Sequence, residues 1–303
     1  MRAPFCALMV EAAASADFVF LTGDLGFKAL EPVRDALGKR FINVGVAEQN
    51  MVSLAAGLAR AGMRPWAYSI APFIYARPFE QIRNDVCLHR LPVVLVGNGG
   101  GYGYGVMGAT HHAIEDYGVI LTLPHIRAYI PAFDGDLRPM LRLLAHTECP
   151  AYLRLGLSEE PKDLAIPPYG AWRQLLERGV SGRATILAVG PLVGGIVEAA
   201  RNISSERRPS VWLLSELPIA ELPQPFVDDV TKSGHLVVVE EHVEHGGAGS
   251  MIAHKLLSHR FAPFRFSHLA ARGYPSSLYG SQKFHRRECG LDPSSVLTVA
   301  CQD

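Results

Sequence analysis

The sequence has no surplus of charge: 29 Lys and Arg balance 29 Asp and Glu over 303 residues. Such a chain lacks the electrostatic footprint of a general nucleic-acid or anionic-membrane binder, although a small local anion pocket remains compatible with it. Long hydrophobic runs are missing too. "LPVVLVGNGG" and "HLVVVEEH" fall far short of the roughly 20 apolar residues that cross a bilayer. The first residues, "MRAPFCALMVEAAASADFVFL", carry an apolar patch. Glu11 interrupts it, so the stretch reads as a helix leading into a strand rather than as a secretory signal. Cysteines are few and scattered: Cys6, Cys87, Cys149, Cys289 and Cys301, with no C-x-x-C. That odd, wide spacing argues against a disulfide framework or a zinc site. It reads as reduced intracellular thiols, and a cytoplasmic location is expected. No G-x-x-x-x-G-K-[ST] loop is present. "GNGGGYGYGVMG" holds only fragments of G-x-G-x-x-G, with no clean helix start after it. It reads as a glycine loop whose backbone approaches a ligand or a neighbouring subunit.

What is present is a strand–helix rhythm. "FVFLTG" (18–23), "RFINVG" (40–45), "RPWAYSI" (64–70) and "PVVLVG" (92–97) read as strands. Residues 3–15, 29–38, 46–62 and 77–90 read as helices between and before them. Alternation of this kind implies right-handed crossovers and a mostly parallel sheet covered on both faces. The proline-bearing stretch around "EEPKDLAIPPYGAW" breaks the rhythm, which then restarts with "ATILAVG" and "PSVWLLSE". The expected architecture is α/β with two doubly wound domains: residues 1–160, a linker over 161–178, and residues 179–303.

Within this frame "FINVGVAEQNMV" (41–52) is the informative segment. Glu48 stands in the first turn of a small-residue helix, just past the end of a strand, on the rim where open parallel sheets bind ligands. Position alone favours a plainer account, an acid complementing the helix dipole. Two later clusters have plain readings as well. Glu240, Glu241, His242, Glu244 and His245 sit close together in "VVVEEHVEHGGAGS" and read as structural or interfacial rather than metal-binding. "KFHRRE" (283–288) reads as a solvated basic face.

"GDLG" (23–26), "INVGVAEQNMVSLAAGLA" (42–59), "RPFEQIRND" (77–85), "GATHHAIEDYGV" (108–119) and "VVVEEHVEHGGAGS" (237–250) follow the order seen in transketolases. The chain resembles the C-terminal half of a transketolase, or the matching subunit of a split one. It is also similar to the corresponding half of deoxyxylulose-phosphate synthase and to the β subunit of thiamine-dependent 2-oxo acid dehydrogenases. The resemblance implies a pyrimidine-binding domain followed by a transketolase C-terminal-like domain, with thiamine diphosphate and Mg²⁺ as cofactors. Glu48 then matches the glutamate that bonds N1′ of the aminopyrimidine ring. A carboxyl there favours the imino tautomer that removes the thiazolium C2 proton, and burial keeps it protonated. Asp24 matches an acidic residue near the cofactor, against a plain role as a helix cap. Phe73 is expected to pack on the pyrimidine ring, with Tyr75 or Phe79 as alternatives for that place. His111 aligns with an active-site histidine that assists proton transfer at the substrate, with His112 as the alternative.

Departures from the family pattern carry their own expectations. Transketolases have a histidine near Gly99, an aspartate near Met107 and a phosphate-gripping arginine near Leu157, and this sequence has none of them. Replacing an arginine fork by leucine removes a bidentate phosphate contact. The expected reaction is transfer of a two-carbon ketol unit to an acceptor other than an ordinary sugar phosphate. No G-D-G motif, the family's Mg²⁺ and diphosphate site, occurs in the sequence. The implied partner is an N-terminal-type transketolase subunit carrying G-D-G…N, in an α2β2 heterotetramer, or with a homodimer formed through this chain. No residue of this chain is expected to ligate the metal, and neither nucleic acid nor membrane is an expected partner. Two other functions fit the same segments less well: a β-type dehydrogenase subunit, and a non-catalytic scaffold.

Overall fold

The computed structural model describes every residue except 15, 16, 27, 259, 260, 262–264 and 303. The end of the helix expected over 3–15 and the start of the strand expected at "FRFSHLA" therefore lie outside the described residues. The first half holds β1 (Val19–Thr22), β2 (Phe41–Asn43), β3 (Pro65–Ile70), β4 (Val94–Asn98), β5 (Arg127–Tyr129) and β6 (Ala151–Leu155). Its helices are α1 (Arg2–Ala13), α2 (Glu31–Leu37), α3 (Glu48–Arg60), α4 (Ala71–Tyr75), α5 (Phe79–Gln81), α6 (Asp116–Ile120) and α7 (Leu137–Ala145). The second half holds β7 (Trp172–Leu176), β8 (Thr185–Val189), β9 (Ser210–Leu214), β10 (Glu216–Leu217), β11 (His235–Val243) and β12 (Arg265–Ala271). Its helices are α8 (Val193–Arg201), α9 (Gln224–Ser233), α10 (Ala248–Ser258), α11 (Gln282–Glu288) and α12 (Pro293–Cys301).

The larger sheet runs β10-β5-β6-β4-β3-β1-β2 and the smaller β12-β11-β8-β9-β7. Pairing is parallel except at the β10–β5 and β7–β9 edges. Central strands such as β1, β6 and β8 are buried residue after residue. Helices on both faces leave no wet side to alternate with, hence the unbroken apolar runs in the sequence. From β1 the chain passes outward to β2, then crosses back to β3 on the other side of β1. Loops at the carboxyl ends of β1 and β3 therefore part company, and a crevice opens between them.

The two halves interlock. β10, from the second half, pairs antiparallel with β5 of the first sheet, Glu216 against Tyr129. Arg173 on β7 makes a buried two-pronged bond to Asp136, 2.7 Å at each prong. The Asp136 carboxylate also accepts the N–H groups of Ala132 and Phe133. One expectation needs correcting here: the stretch 161–178, read as linker, carries β7. An edge strand with a buried arginine lacks the apolar run that marks the inner strands, so its sequence does not advertise it.

Candidate active site

The crevice is built from the loops after β1, β2, β3 and β4. After β1, Gly23 comes so close to the β2 loop that a Cβ there would lie 3.1 Å from the Gly45 carbonyl oxygen. Asn43 binds the two loops together. Its Oδ1 accepts from the N–H of Asp24 at 2.9 Å and of Gly45 at 3.0 Å, and its Nδ2 donates to Asp24 Oδ1 at 3.1 Å. Gly45 turns the chain with φ +76°, a conformation that L side chains rarely adopt. Three residues later Glu48 heads α3 with 5% of its surface exposed.

Glu48 Oε1 accepts from Arg77 Nη1 at 2.8 Å. Arg77 lies between α4 and α5, immediately before Pro78, and its guanidinium carbon stands 3.7 Å from the centre of the Phe73 ring. Phe73 also neighbours His111, edge-on at 5.2 Å between ring centres. Thr110 Oγ1 lies 2.9 Å from His111 Nδ1, and the Tyr104 ring stands 5.8 Å from the imidazole. Asn98, at the end of β4, donates to the Tyr104 hydroxyl at 2.8 Å. The result is one continuous row: a buried carboxylate, a flat cation, an aromatic ring and a histidine, contributed by the loops after β2, β3 and β4.

The other expected site residues fall around this row. Asp24 is exposed and lines an open cavity of about 600 Å³ with Thr22, Asn43 and Phe41. The Tyr75 hydroxyl donates to Glu115 Oε2 at 3.2 Å, away from Phe73, and burial pushes that phenol's pKa well up. Phe79 packs against the apolar core. Of the three aromatics considered, Phe73 is therefore the one beside both Arg77 and His111. The two histidines part as well. His112 is buried: Nε2 donates to the Gly105 carbonyl at 2.8 Å, so Nδ1 is left to accept from the Tyr274 hydroxyl at 2.9 Å. Burial first, and then neighbouring His285, lower the His112 pKa and favour the neutral ring.

Where transketolases carry a histidine, near Gly99, the Tyr104 ring already fills the space: a Cβ at Gly99 would lie 2.2 Å from it. Met107 and Leu157 are exposed, at 54% and 55%. The acidic cluster of β11 is engaged elsewhere. Glu240 accepts from the first N–H groups of α10, Ala248 and Gly249, each at 2.8 Å, and from the Tyr117 hydroxyl, while His268 Nε2 lies 2.6 Å away. Burial pushes the Glu240 pKa up, but these bonds and nearby His242 outweigh it, so the net shift is downward. Glu241 accepts from the Tyr102 N–H at 2.7 Å and from Arg286 Nε at 2.7 Å. Among the described residues no group of three or more His, Cys, Asp or Glu is arranged to hold a metal ion. The reading of "KFHRRE" as a solvated face is corrected by the same contacts. Arg286 and His285 are buried, with His285 stacked 4.8 Å from Tyr102. A buried carboxylate, Glu241, draws the guanidinium inward.

Sequence reasoning missed Arg77, Asn43 and Tyr104. Arg77 carried one usable signal: a residue before proline is pushed out of helical geometry, so the helix expected over 77–90 had to begin after it.

Comparison with known proteins gives a consistent result. Residues 6–160 match the family model of the transketolase pyrimidine-binding domain. One subunit of the apulose-4-phosphate transketolase of Actinobacillus succinogenes is 32% identical over 268 residues, covering 86% of this chain and 84% of that one. The 1-deoxy-D-xylulose-5-phosphate synthase of Heliobacterium modesticaldum is 31% identical over 89% of this chain, which spans 42% of the synthase. Among solved structures, a split-gene transketolase described as an inactive β4 tetramer superposes with a TM-score of 0.81 at 28% identity, over 99% of this chain and 96% of that one. The transketolase of Leishmania mexicana shares the fold, with a TM-score of 0.79 at 18% identity over 44% of its length. Among the described residues no helix is long and apolar enough to cross a membrane.

Proposed function

The chain belongs to the transketolase family through its pyrimidine-binding domain, and from that premise we propose that it is the C-terminal-type subunit of a two-component, thiamine-diphosphate-dependent transferase of two-carbon ketol units. The observation that carries this reading is the row Glu48–Arg77–Phe73–His111 in the sheet's carboxyl-end crevice. In this reading residues 1–160 bind the pyrimidine ring and residues 179–303 form the C-terminal domain.

The residues present suit the aminopyrimidine end of the cofactor. A flat group carrying N–H donors already lies against the Phe73 ring and bonds Glu48, so the slot has the shape and polarity for such a heterocycle. When bound, thiamine diphosphate supplies the electron sink that lets a carbon–carbon bond beside a carbonyl break. Glu48 holds the ring nitrogen edge, Phe73 offers its face, and Asp24 borders the approach. His111, anchored by Thr110, moves a proton at the sugar hydroxyls. The diphosphate and Mg²⁺ fall to a partner chain with a G-D-G…N motif, in a two-fold heterotetramer. The uncharged, exposed side chains at Met107 and Leu157 support an acceptor that brings no phosphate of its own to grip.

The test is reconstitution with the partner subunit. Expected are copurification of thiamine diphosphate with Mg²⁺ and cleavage of xylulose 5-phosphate that depends on both. Glyceraldehyde should outperform ribose 5-phosphate as acceptor. Efficient turnover of ribose 5-phosphate overturns the acceptor assignment, and activity independent of thiamine diphosphate overturns the function.

A further inference from the structure

The Arg77 guanidinium is flat, delocalised and rich in N–H donors. It lies 3.7 Å over the Phe73 ring and donates to the buried Glu48 carboxylate at 2.8 Å. Those are the two contacts a protonated or amino-bearing six-membered heterocycle would make in the same slot. Arg77 and a second flat group cannot share one stacking position on Phe73. The Arg77 side chain is 45% exposed whereas that of Glu48 is 6% exposed, so the arginine has water to retreat into and the acid does not. Its backbone is held meanwhile, because Gln49 Nε2 donates to the Arg77 carbonyl at 3.4 Å and Pro78 follows. Side-chain torsions alone are left to move.

We propose that Arg77 is a built-in occupant of the heterocycle slot. It satisfies Glu48 and covers Phe73 until the cofactor ring displaces it, and it thereby sets how tightly and how selectively that ring binds. The inference rests on the thiamine-diphosphate reading above and deepens it. Its energetic basis is a half-exposed ion pair plus a cation–π contact. Such a competitor weakens cofactor binding about 5- to 20-fold. An empty slot would leave the buried carboxylate without a partner, which is costlier than a stand-in.

Thiamine diphosphate is titrated into the reconstituted two-subunit complex with Mg²⁺ by calorimetry, for wild type, Arg77→Met and Arg77→Lys. Arg77→Met keeps the length but removes the donor plane, and should tighten the dissociation constant about 5- to 20-fold. Arg77→Lys, charged but not planar, should fall between the two. Before cofactor is added, both variants should melt at or below the wild-type temperature, and the cofactor-induced rise should be larger in Arg77→Met than in wild type. Weaker cofactor binding in Arg77→Met would make Arg77 a cofactor contact and overturn the proposal, and unchanged binding would make it a bystander and do the same. Should Arg77→Met fail to assemble, a dissociation constant for Arg77→Lys equal to or weaker than that of wild type overturns it. A wild-type complex that binds no thiamine diphosphate at all overturns the function reading instead, whatever the variants do.

Discussion

Two buried glutamates, one in each half, show opposite designs. Glu240 on β11 is surrounded: two helix N–H groups, a tyrosine hydroxyl and a histidine all face its carboxylate. Among the described residues Glu48 bonds one side chain, and that side chain is half in water. A carboxylate with every lone pair engaged rigidifies a fold and has no bond to give to a ligand. One with a single removable partner contributes less to stability and can exchange that partner for a ligand. The contrast separates a structural acid from a candidate catalytic one more sharply than burial does, because both are buried.

Glutamine at each position tests that contrast in turn. Glu48→Gln should lower turnover of the reconstituted complex by about 10³-fold, in the range of lost acid–base assistance, while its urea midpoint moves little. Glu240→Gln should do the reverse. Leaving a hydrogen-bonded buried charge site half matched costs about 2–4 kcal/mol, read as a lower urea midpoint, with kcat per folded complex nearly intact. If Glu48→Gln unfolds the chain or Glu240→Gln abolishes catalysis at full stability, the two acids have been assigned the wrong way round.

The legibility of the sequence follows the same divide. Inner strands such as β1, β3 and β4 were readable because both faces are covered and their residues are mostly apolar, with Thr22, Ser69 and Asn98 near their ends. Glu48 and His111 stood out as candidates because they lie in segments with strong motif character. Partners reached across the fold were not. Nothing local in "HRRE" says that Arg286 turns inward to Glu241, 45 positions away, and nothing local in "YGAWRQ" says that Arg173 meets Asp136. The two-residue β10 is too short to carry any periodicity, and only its pairing with β5 defines it. Arg77 was hidden at the first position of an expected helix that begins only at Phe79, which leaves the arginine in the loop before it.

The histidine pair allows a finer test. His111 lies beside Phe73, anchored only through Thr110 Oγ1, whereas His112 is enclosed between Gly105 and Tyr274. His111→Asn should lower kcat about 10²-fold and leave the thiamine diphosphate dissociation constant within about twofold of wild type. An unchanged kcat would remove His111 from the chemistry and leave Glu48 as the site's sole proton-handling group.

The smallest effect lies in the pH dependence of folding. The folded-state pKa of His112 is lowered from its ordinary 6.5 by burial. Above that ordinary value the folded and unfolded chains are both neutral there, and the site costs nothing. As pH falls below it, the unfolded chain takes up a proton that the folded chain refuses, so stability declines towards the lower folded value. Glu240 acts in the same direction at more acid pH. Its folded pKa lies below the ordinary 4.5, so its stabilisation is complete above 4.5 and is lost as pH drops through the folded value. Urea unfolding of wild type should therefore lose stability in two stages, the first as pH falls below about 6.5, where buried His235 and His285 act alongside His112, and the second below about 4.5. His112→Gln should flatten the first stage by at most about 1.4 kcal/mol per pH unit and leave the second in place, while Glu240→Gln should flatten the second and spare the first. A His112→Gln profile parallel to wild type from pH 7 to 5 would mean that the imidazole takes up its proton alike in the folded and unfolded chains, against the neutral ring that its burial favours.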